Sequence, residues 1–406
     1  MKTISISARF AVFILLFTSP LLNQAHAKKT PKPKITQELL IKVADESLLP
    51  QLKMPFEPLG QNWFALRNTR RLSWTEIQNQ RGVIFLQQNF PLQLTDTYML
   101  QDSLRRAALA KLVKRNAHLL ELNDSSTHDA ELHLSIPSHS YSQGQEKLQV
   151  AILGTGVDFG DELVKNHISI NHQEIANNGI DDDDNGFIDD NYGWDFLENS
   201  NLPIEKNSRP EEILTHGGNP GQGTHSAKIL LTKQKRSHSE LIPIRILNAQ
   251  GKGKLSDLLR GSFYALQRNA RIIHLQASLD ENSLNSPALQ ELLSLIESAG
   301  SKLVYPEIIL EQNDACPNTD DQSLVATFKK ISEEDENSLA IDFLGYKVEF
   351  SKIQNALATY TQTLISTWAR NTGASQETIR NKADPQLQKL RCIVASELQG
   401  SNLYKN

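Results

Sequence analysis

The chain has 406 residues, 39% of them hydrophobic and 22% charged, with a formal net charge of −5 at pH 7. That length suits one large domain with a smaller companion, and the composition is ordinary for a globular protein. The mild acidity argues against a nucleic-acid binder, which presents a basic face; KKTPKPK at 28–34 and the Lys111–Arg115 cluster read as a flexible leader and a solvated helix face.

Residues 1–27 have the order of a secretory signal peptide. Lys2 and Arg9 precede the apolar run AVFILLF, and Ala25-His26-Ala27 is a small-x-small cleavage site. Removal near Ala27 takes the net charge to −7 and predicts an exported protein, periplasmic or extracellular. The apolar run is short for a membrane span and no later segment reaches that length, so stable membrane insertion is not expected. Residues 28–35 form a Pro- and Lys-rich leader. Over 36–95, ITQELLIKVAD, NWFALRN and GVIFLQQNF read as strands with WTEIQNQ as a helix between the last two, a small α+β unit. Residues 96–147 hold a helix over Leu100–Leu122 and a polar, turn-rich linker.

From 148 to 400 the pattern becomes α/β. LQVAILG, ELIPIRIL and ARIIHLQAS are continuous apolar runs suited to parallel strands buried on both faces. LSDLLRGSFYALQRN reads as the crossover helix, with Ser256 as its N-cap and Leu259, Phe263 and Leu266 at helical spacing. Ser286 and Pro287 start another helix over Ala288–Ser298, which leads to the strand SKLVYPE. Cys316 and Cys392 are the only cysteines, and an oxidising compartment would allow them to pair.

The acidic segment at 177–195, within NNGIDDDDNGFIDDNYGWDF, carries the most specific chemistry. Six carboxylates in ten residues need a counter-ion, and Asp181, Asp183 and Asn185 alternate before a turn at Gly186, with Asp189 and Asp190 closing the loop. Hard cations take six to eight oxygens, so this pattern predicts a structural Ca2+ site. The D-x-D-x-N-G core resembles the start of an EF-hand loop, but Tyr192 stands where that motif closes with Glu.

The order of these motifs resembles the subtilisin-like serine proteases (subtilases). VAILGTGVD is similar to the strand and turn that carry that family's catalytic aspartate, and GQGTHSAKIL to the helix start that carries its catalytic histidine. IPIRILNAQGKGKLSDLLRGSFYAL and ARIIHLQAS resemble the following strand-turn-helix and the strand beside the substrate cleft. The acidic stretch followed by YGWDF is similar to an insert of many bacterial members. The resemblance covers about 150 to 280 and implies a parallel β-sheet sandwiched by helices, preceded by a propeptide-like α+β domain.

Matched residue by residue, the chemistry is missing. Gly154 stands at the aspartate position and Gln222 at the histidine position, while His225 matches the second, non-catalytic histidine. The best local match for the nucleophile is Ser351, although Glu349 and Phe350 replace the residues the family places before it. Helix-start serines are also ordinary N-caps. Asn313 falls too late to serve as the oxyanion donor, and His274 and Gln276 alter the cleft strand. A relocated dyad from Asp158 and His216 is the route by which activity could persist. The resemblance therefore implies a secreted pseudoprotease acting as a calcium-stabilised binding or regulatory protein. Its partners would be its own propeptide-like domain in cis and peptides or another protein in a retained cleft. The competing reading is a secreted calcium-dependent serine endopeptidase with a non-standard catalytic arrangement.

Overall fold

The computed structural model describes residues 37–70, 72–94, 147–205, 221–232, 239–310, 342–343, 346–347, 352–371 and 375–400. The expected signal peptide, the leader, the Leu100–Leu122 helix, nearly all of the linker, His216, Asn313, Cys316 and Ser351 lie outside these residues.

The N-terminal lobe runs β1 (Gln37–Val43), α1 (Leu48–Leu52), β2 (Phe56–Gly60), β3 (Trp63–Asn68), α2 (Trp74–Gln78) and β4 (Val83–Gln88). Its strands form an antiparallel sheet in the order β2-β3-β1-β4. Strand alternation sends Leu39, Ile41 and Val43 into the lobe's own core, with Leu49, Leu66 and Ile77. Leu40 and Trp63 face the other way and join the core of the following domain. A capping box starts α2: the Glu76 N–H donates to Ser73 Oγ at 3.2 Å, and the Ser73 N–H to Glu76 Oε2 at 2.6 Å.

A short strand, β5 (Pro91–Leu94), leads out of the lobe. The larger domain continues with β6 (Leu148–Gly154), α3 (Glu162–Lys165), β7 (Trp194–Asp195), α4 (Gln222–Thr232), β8 (Ser239–Arg245), β9 (Lys252–Lys254) and α5 (Leu255–Gln267). Then come β10 (Ile272–Leu275), β11 (Ala277–Ser278), α6 (Glu281–Leu284), α7 (Pro287–Ser298), β12 (Lys302–Val304) and α8 (Glu307–Leu310). The hairpin β13 (Asp342–Phe343) and β14 (Tyr346–Lys347) precedes the long helices α9 (Lys352–Arg370) and α10 (Gln376–Gly400).

The central sheet is parallel, in the order β12-β10-β6-β8-β7. The β8–α5–β10 crossover skips one position, because β6 lies between its two strands. Ala151, Leu153, Ile242 and Ile273 pack on one face with α5 and α7, while Val150, Ile152, Leu241 and Ile272 pack on the other with α4, α9 and α10. Both faces are covered, so the strands read as unbroken apolar runs. The expected N-cap at Ser256 is displaced by two residues. Lys254 is the N-cap residue of α5, its N–H donating to Asp257 Oδ2 at 3.2 Å, and Ser256 lies inside the first turn with its N–H on Asn89 Oδ1 at 3.0 Å. Cys392 is disulfide-bonded.

Candidate functional site

β6 ends at Gly154, and the turn that follows meets the N-terminus of α4. The two are joined through Glu205. Thr155 Oγ1 donates to Glu205 Oε1 at 2.6 Å, and the N–H groups of Gly223 and Thr224 donate to the same carboxylate at 3.0 and 3.1 Å. Thr224 Oγ1 adds a bond of 2.5 Å. Desolvation raises the Glu205 pKa, against the pull of these four donors. Glycine is required at 223, since a Cβ there would fall 1.7 Å from the Gly156 carbonyl oxygen.

Gly154 and Gln222 meet in this enclosed region through Gln276, which follows β10. Gln276 Oε1 accepts from the Thr155 N–H at 3.3 Å, and its Nε2 donates to the Gln222 carbonyl at 3.2 Å. Gln222 Nε2 donates to Ser226 Oγ at 3.2 Å. From α9, Gln354 Nε2 donates to the Gln276 carbonyl at 2.5 Å. Gln222 and Gln276 are fully buried and Gln354 nearly so. The cluster is polar and uncharged: an amide takes up no proton near neutral pH, so none of these side chains can serve as a general base.

The histidines nearby do not fill that role. His225 Nε2 lies 3.0 Å from Asn355 Oδ1 on α9, and the ring is buried. His274 and Gln276, expected on the cleft wall, are both enclosed. His274 turns toward α9, with Nδ1 3.0 Å from Thr361 Oγ1, and desolvation lowers its pKa to about 3. Asp158 is exposed and accepts from the Gly160 N–H through Oδ1 at 2.7 Å. His216, the other half of the relocated dyad, lies outside the described residues, as does Ser351.

Next to Gln276, β11 pairs with a strand that follows the N-terminal lobe. β5 is the middle strand of a three-stranded antiparallel sheet, with β11 on one side and β9 on the other. Leu92 and Leu94 point into the main core, and the Leu94 N–H donates to the Gly251 carbonyl at 2.7 Å. Sequence reading missed this strand. The N-terminal lobe also completes two helices of the larger domain. Asn89 Nδ2 donates to Ser256 Oγ at 3.0 Å, and the Ala288 N–H at the start of α7 donates to Gln87 Oε1 at 3.0 Å. Glu291 on α7 holds Trp63 Nε1 at 3.2 Å and pairs with Lys42.

The acidic loop divides its carboxylates between two tasks. Asp181 receives the N–H groups of Asn185 and Gly186 at 3.1 and 2.8 Å, and Asp189 those of Asn178 and Gly179 at 3.0 and 2.9 Å. Those two acids fold the loop. Asp183 and Asp190 instead converge with Glu174, one oxygen from each lying within 4.8 Å of the others. Glu174 stands outside the run that drew attention in the sequence, and no spacing signal marked it. It receives the N–H groups of Asp182 and Asp189, both at 2.9 Å. Desolvation, and then the charges of Asp190 and Asp183, raise its pKa against the backbone bonds from Asp183 and Asp182. Asn185 Nδ2 bridges Asp183 and Asp190 at 3.0 and 3.2 Å. Three carboxylates facing one point form a donor set suited to a hard cation.

No protein-family model matches the chain. Subtilisin-like protease 1 of Plasmodium vivax is 28% identical over 173 residues, which cover 39% of this chain and 26% of that protein. Subtilisin-like protease 1 of Plasmodium falciparum (isolate 3D7) is 30% identical over 139 residues, 33% of this chain and 19% of that protein. The match thus spans about a quarter or less of the length of these relatives. Among solved structures, the epidermin leader peptide processing serine protease (EpiP) of Staphylococcus aureus is 10% identical. That similarity covers 87% of this chain and 92% of that one at a TM-score of 0.44. About a third of the chain is therefore similar in sequence to subtilisin-like proteases.

Proposed function

We propose that this is a secreted subtilisin-like pseudoprotease, a calcium-stabilised binding or regulatory protein without peptidase activity. One observation carries the reading: Gly154 and Gln222, at the positions matched to the catalytic aspartate and histidine, meet in a buried cluster of neutral amides. Serine hydrolysis needs a base for the hydroxyl proton and a carboxylate to orient that base. Residues 36–95 act in this reading as a propeptide-like domain that is never cut away, and β5 stays in the groove as its cis occupant. A peptide or protein partner enters by displacing β5. Glu174, Asp183 and Asp190 hold the calcium ion, which adds to the counter-charge that Arg268 already brings to Asp190 at 3.4 Å. Cys392 pairs with Cys316, and cleavage near Ala27 releases the protein to the periplasm or the medium. Among the described residues no helix is long and apolar enough to cross a membrane.

Treatment of the full exported protein with a fluorophosphonate probe tests this, since such probes label activated serines. The expected result is no labelling and an intact chain beginning near Lys28. Labelling that disappears in Ser351→Ala, with self-cleavage in the 96–147 segment, would establish the endopeptidase reading instead.

A further inference from the structure

Gly154 does more than lack a carboxylate; the space a side chain would need is already taken. An ideal Cβ at 154 would lie 1.5 Å from Gln276 Oε1 and 2.4 Å from its Cδ. Backbone conformation is not the obstacle, because Gly154 is not among the glycines with positive φ. The obstacle is a carboxamide fixed at both ends. Its oxygen holds the Thr155 N–H, its nitrogen holds the Gln222 carbonyl, and the side chain is fully buried. Moving it aside would strand a buried amide, and buried polar groups without partners are strongly disfavoured.

The identity of the residue fits its two contacts. Thr155 offers a donor and Gln222 an acceptor, so residue 276 must accept at one end and donate at the other. A carboxylate would set an oxygen against the Gln222 carbonyl, and an ammonium would set a donor against the Thr155 N–H. An amide satisfies both without charge. The Gln276 carbonyl, held by Gln354, ties the same residue to α9. One residue therefore links the end of β6, the start of α4 and the helix that follows Ser351.

We infer that Gln276 closes this pocket to acid–base chemistry by occupying both the volume and the N–H donor that a carboxylate on residue 154 would use. The inference rests on the non-catalytic reading of the pocket but makes a separate claim. Restoring an acid at 154 and an imidazole at 222 creates no working pair until Gln276 is shortened.

Two measurements on the full chain test it. The first is thermal unfolding of Gly154→Ala, Gln276→Ser and the double variant. Gly154→Ala alone should lower Tm by about 5 °C or more, because it displaces a bonded buried amide. In the Gln276→Ser background the same change should cost roughly 2 °C or less, since the methyl then enters vacated space. The second is NMR titration of the imidazole introduced by Gln222→His, with Gly154→Asp present and with or without Gln276→Ser. Its pKa should rise by about 1 unit or more, as an adjacent carboxylate requires, only when Gln276 has been shortened. If Gly154→Asp does not fold with Gln276 present, the Gly154→Ala pair decides the matter. Equal costs of Gly154→Ala in both backgrounds, or a raised imidazole pKa with Gln276 intact, would overturn the proposal. Neither readout involves serine labelling, so failure here is distinct from failure of the non-catalytic reading.

Discussion

The pocket at Gly154 and the acidic loop at 174–190 solve one problem in opposite ways. Each must satisfy a crowd of backbone N–H groups where the chain turns sharply. The pocket does so mainly with amides: Gln276 serves Thr155 and Gln222, and Gln354 serves Gln276. The loop does so with carboxylates, as Asp181, Asp189 and Glu174 each accept two or three N–H groups. The difference is one of pairing rather than burial. Glu174, Asp189 and Asp190 are buried too. There, backbone N–H groups and Arg268, whose Nη1 lies 3.4 Å from Asp190 Oδ2, offset the cost of desolvating the charge. One region thus meets its N–H groups mainly with neutral carboxamide oxygens and the other with carboxylates.

The largest expected effect tests whether the sealed region rejects charge. His274 is enclosed beside α9, and desolvation lowers its pKa from the ordinary 6.5 to about 3. The folded chain then holds the neutral ring while the unfolded chain takes up a proton below about pH 6.5. Stability contributed by the neutral ring is full above that value and is lost as the pH falls toward 3, up to roughly 4–5 kcal/mol. Urea unfolding of the native protein and His274→Gln at intervals between pH 7 and 3 should show the native protein losing more stability. Parallel curves would mean that the interior tolerates the imidazolium.

The loop half is sharpened by calcium. An ion present at 100–1,000 times its dissociation constant adds about 3–4 kcal/mol, or roughly 10 °C in Tm for a domain of this size. Calcium should raise Tm and a chelator should reverse the gain. Glu174→Gln and Asp190→Asn should abolish the response, whereas Asp181→Asn should lower the baseline and leave the response in place. A response that survives Glu174→Gln but fails in Asp181→Asn would return the site to the residues that stand out in the sequence.

The same contrast explains what was legible beforehand. LQVAILG, ELIPIRIL and ARIIHLQAS announced β6, β8 and β10 because burial on both faces leaves continuous apolar runs. The acidic loop was visible as a loop, since Gly186 and the alternating acids are local signals. Which acids converge was not, because Glu174 lies outside the acidic run and spacing does not reveal that it turns back onto Asp183 and Asp190. β5 escaped notice for a similar reason: both its partner strands come from far along the chain. Gln276 was read as a wall residue because the family resemblance sets it on the cleft strand, and a matched position does not give the neighbour behind it. The vacancy at Gly154 could be read from one position; the side chain that fills it is 122 residues away.

The smallest effect concerns the exception within the pocket, Glu205. Its carboxyl group lies against Thr155 and the start of α4, and all four of its partners are donors. Glu205→Gln sets an NH2 against some of them and should cost about 1–3 kcal/mol, the penalty for buried groups left without partners. The pH dependence separates two accounts of that cost. Desolvation raises the Glu205 pKa above its ordinary value, so the folded chain binds this proton more readily than the unfolded chain. The resulting stability is full below the unfolded pKa and is lost as the pH rises through the folded one. The deficit of Glu205→Gln should thus widen on acidification and narrow toward neutral pH. A deficit that narrows on acidification would mean that the four donors hold the group ionised, and the pocket would then keep one working charge within reach of Gly154.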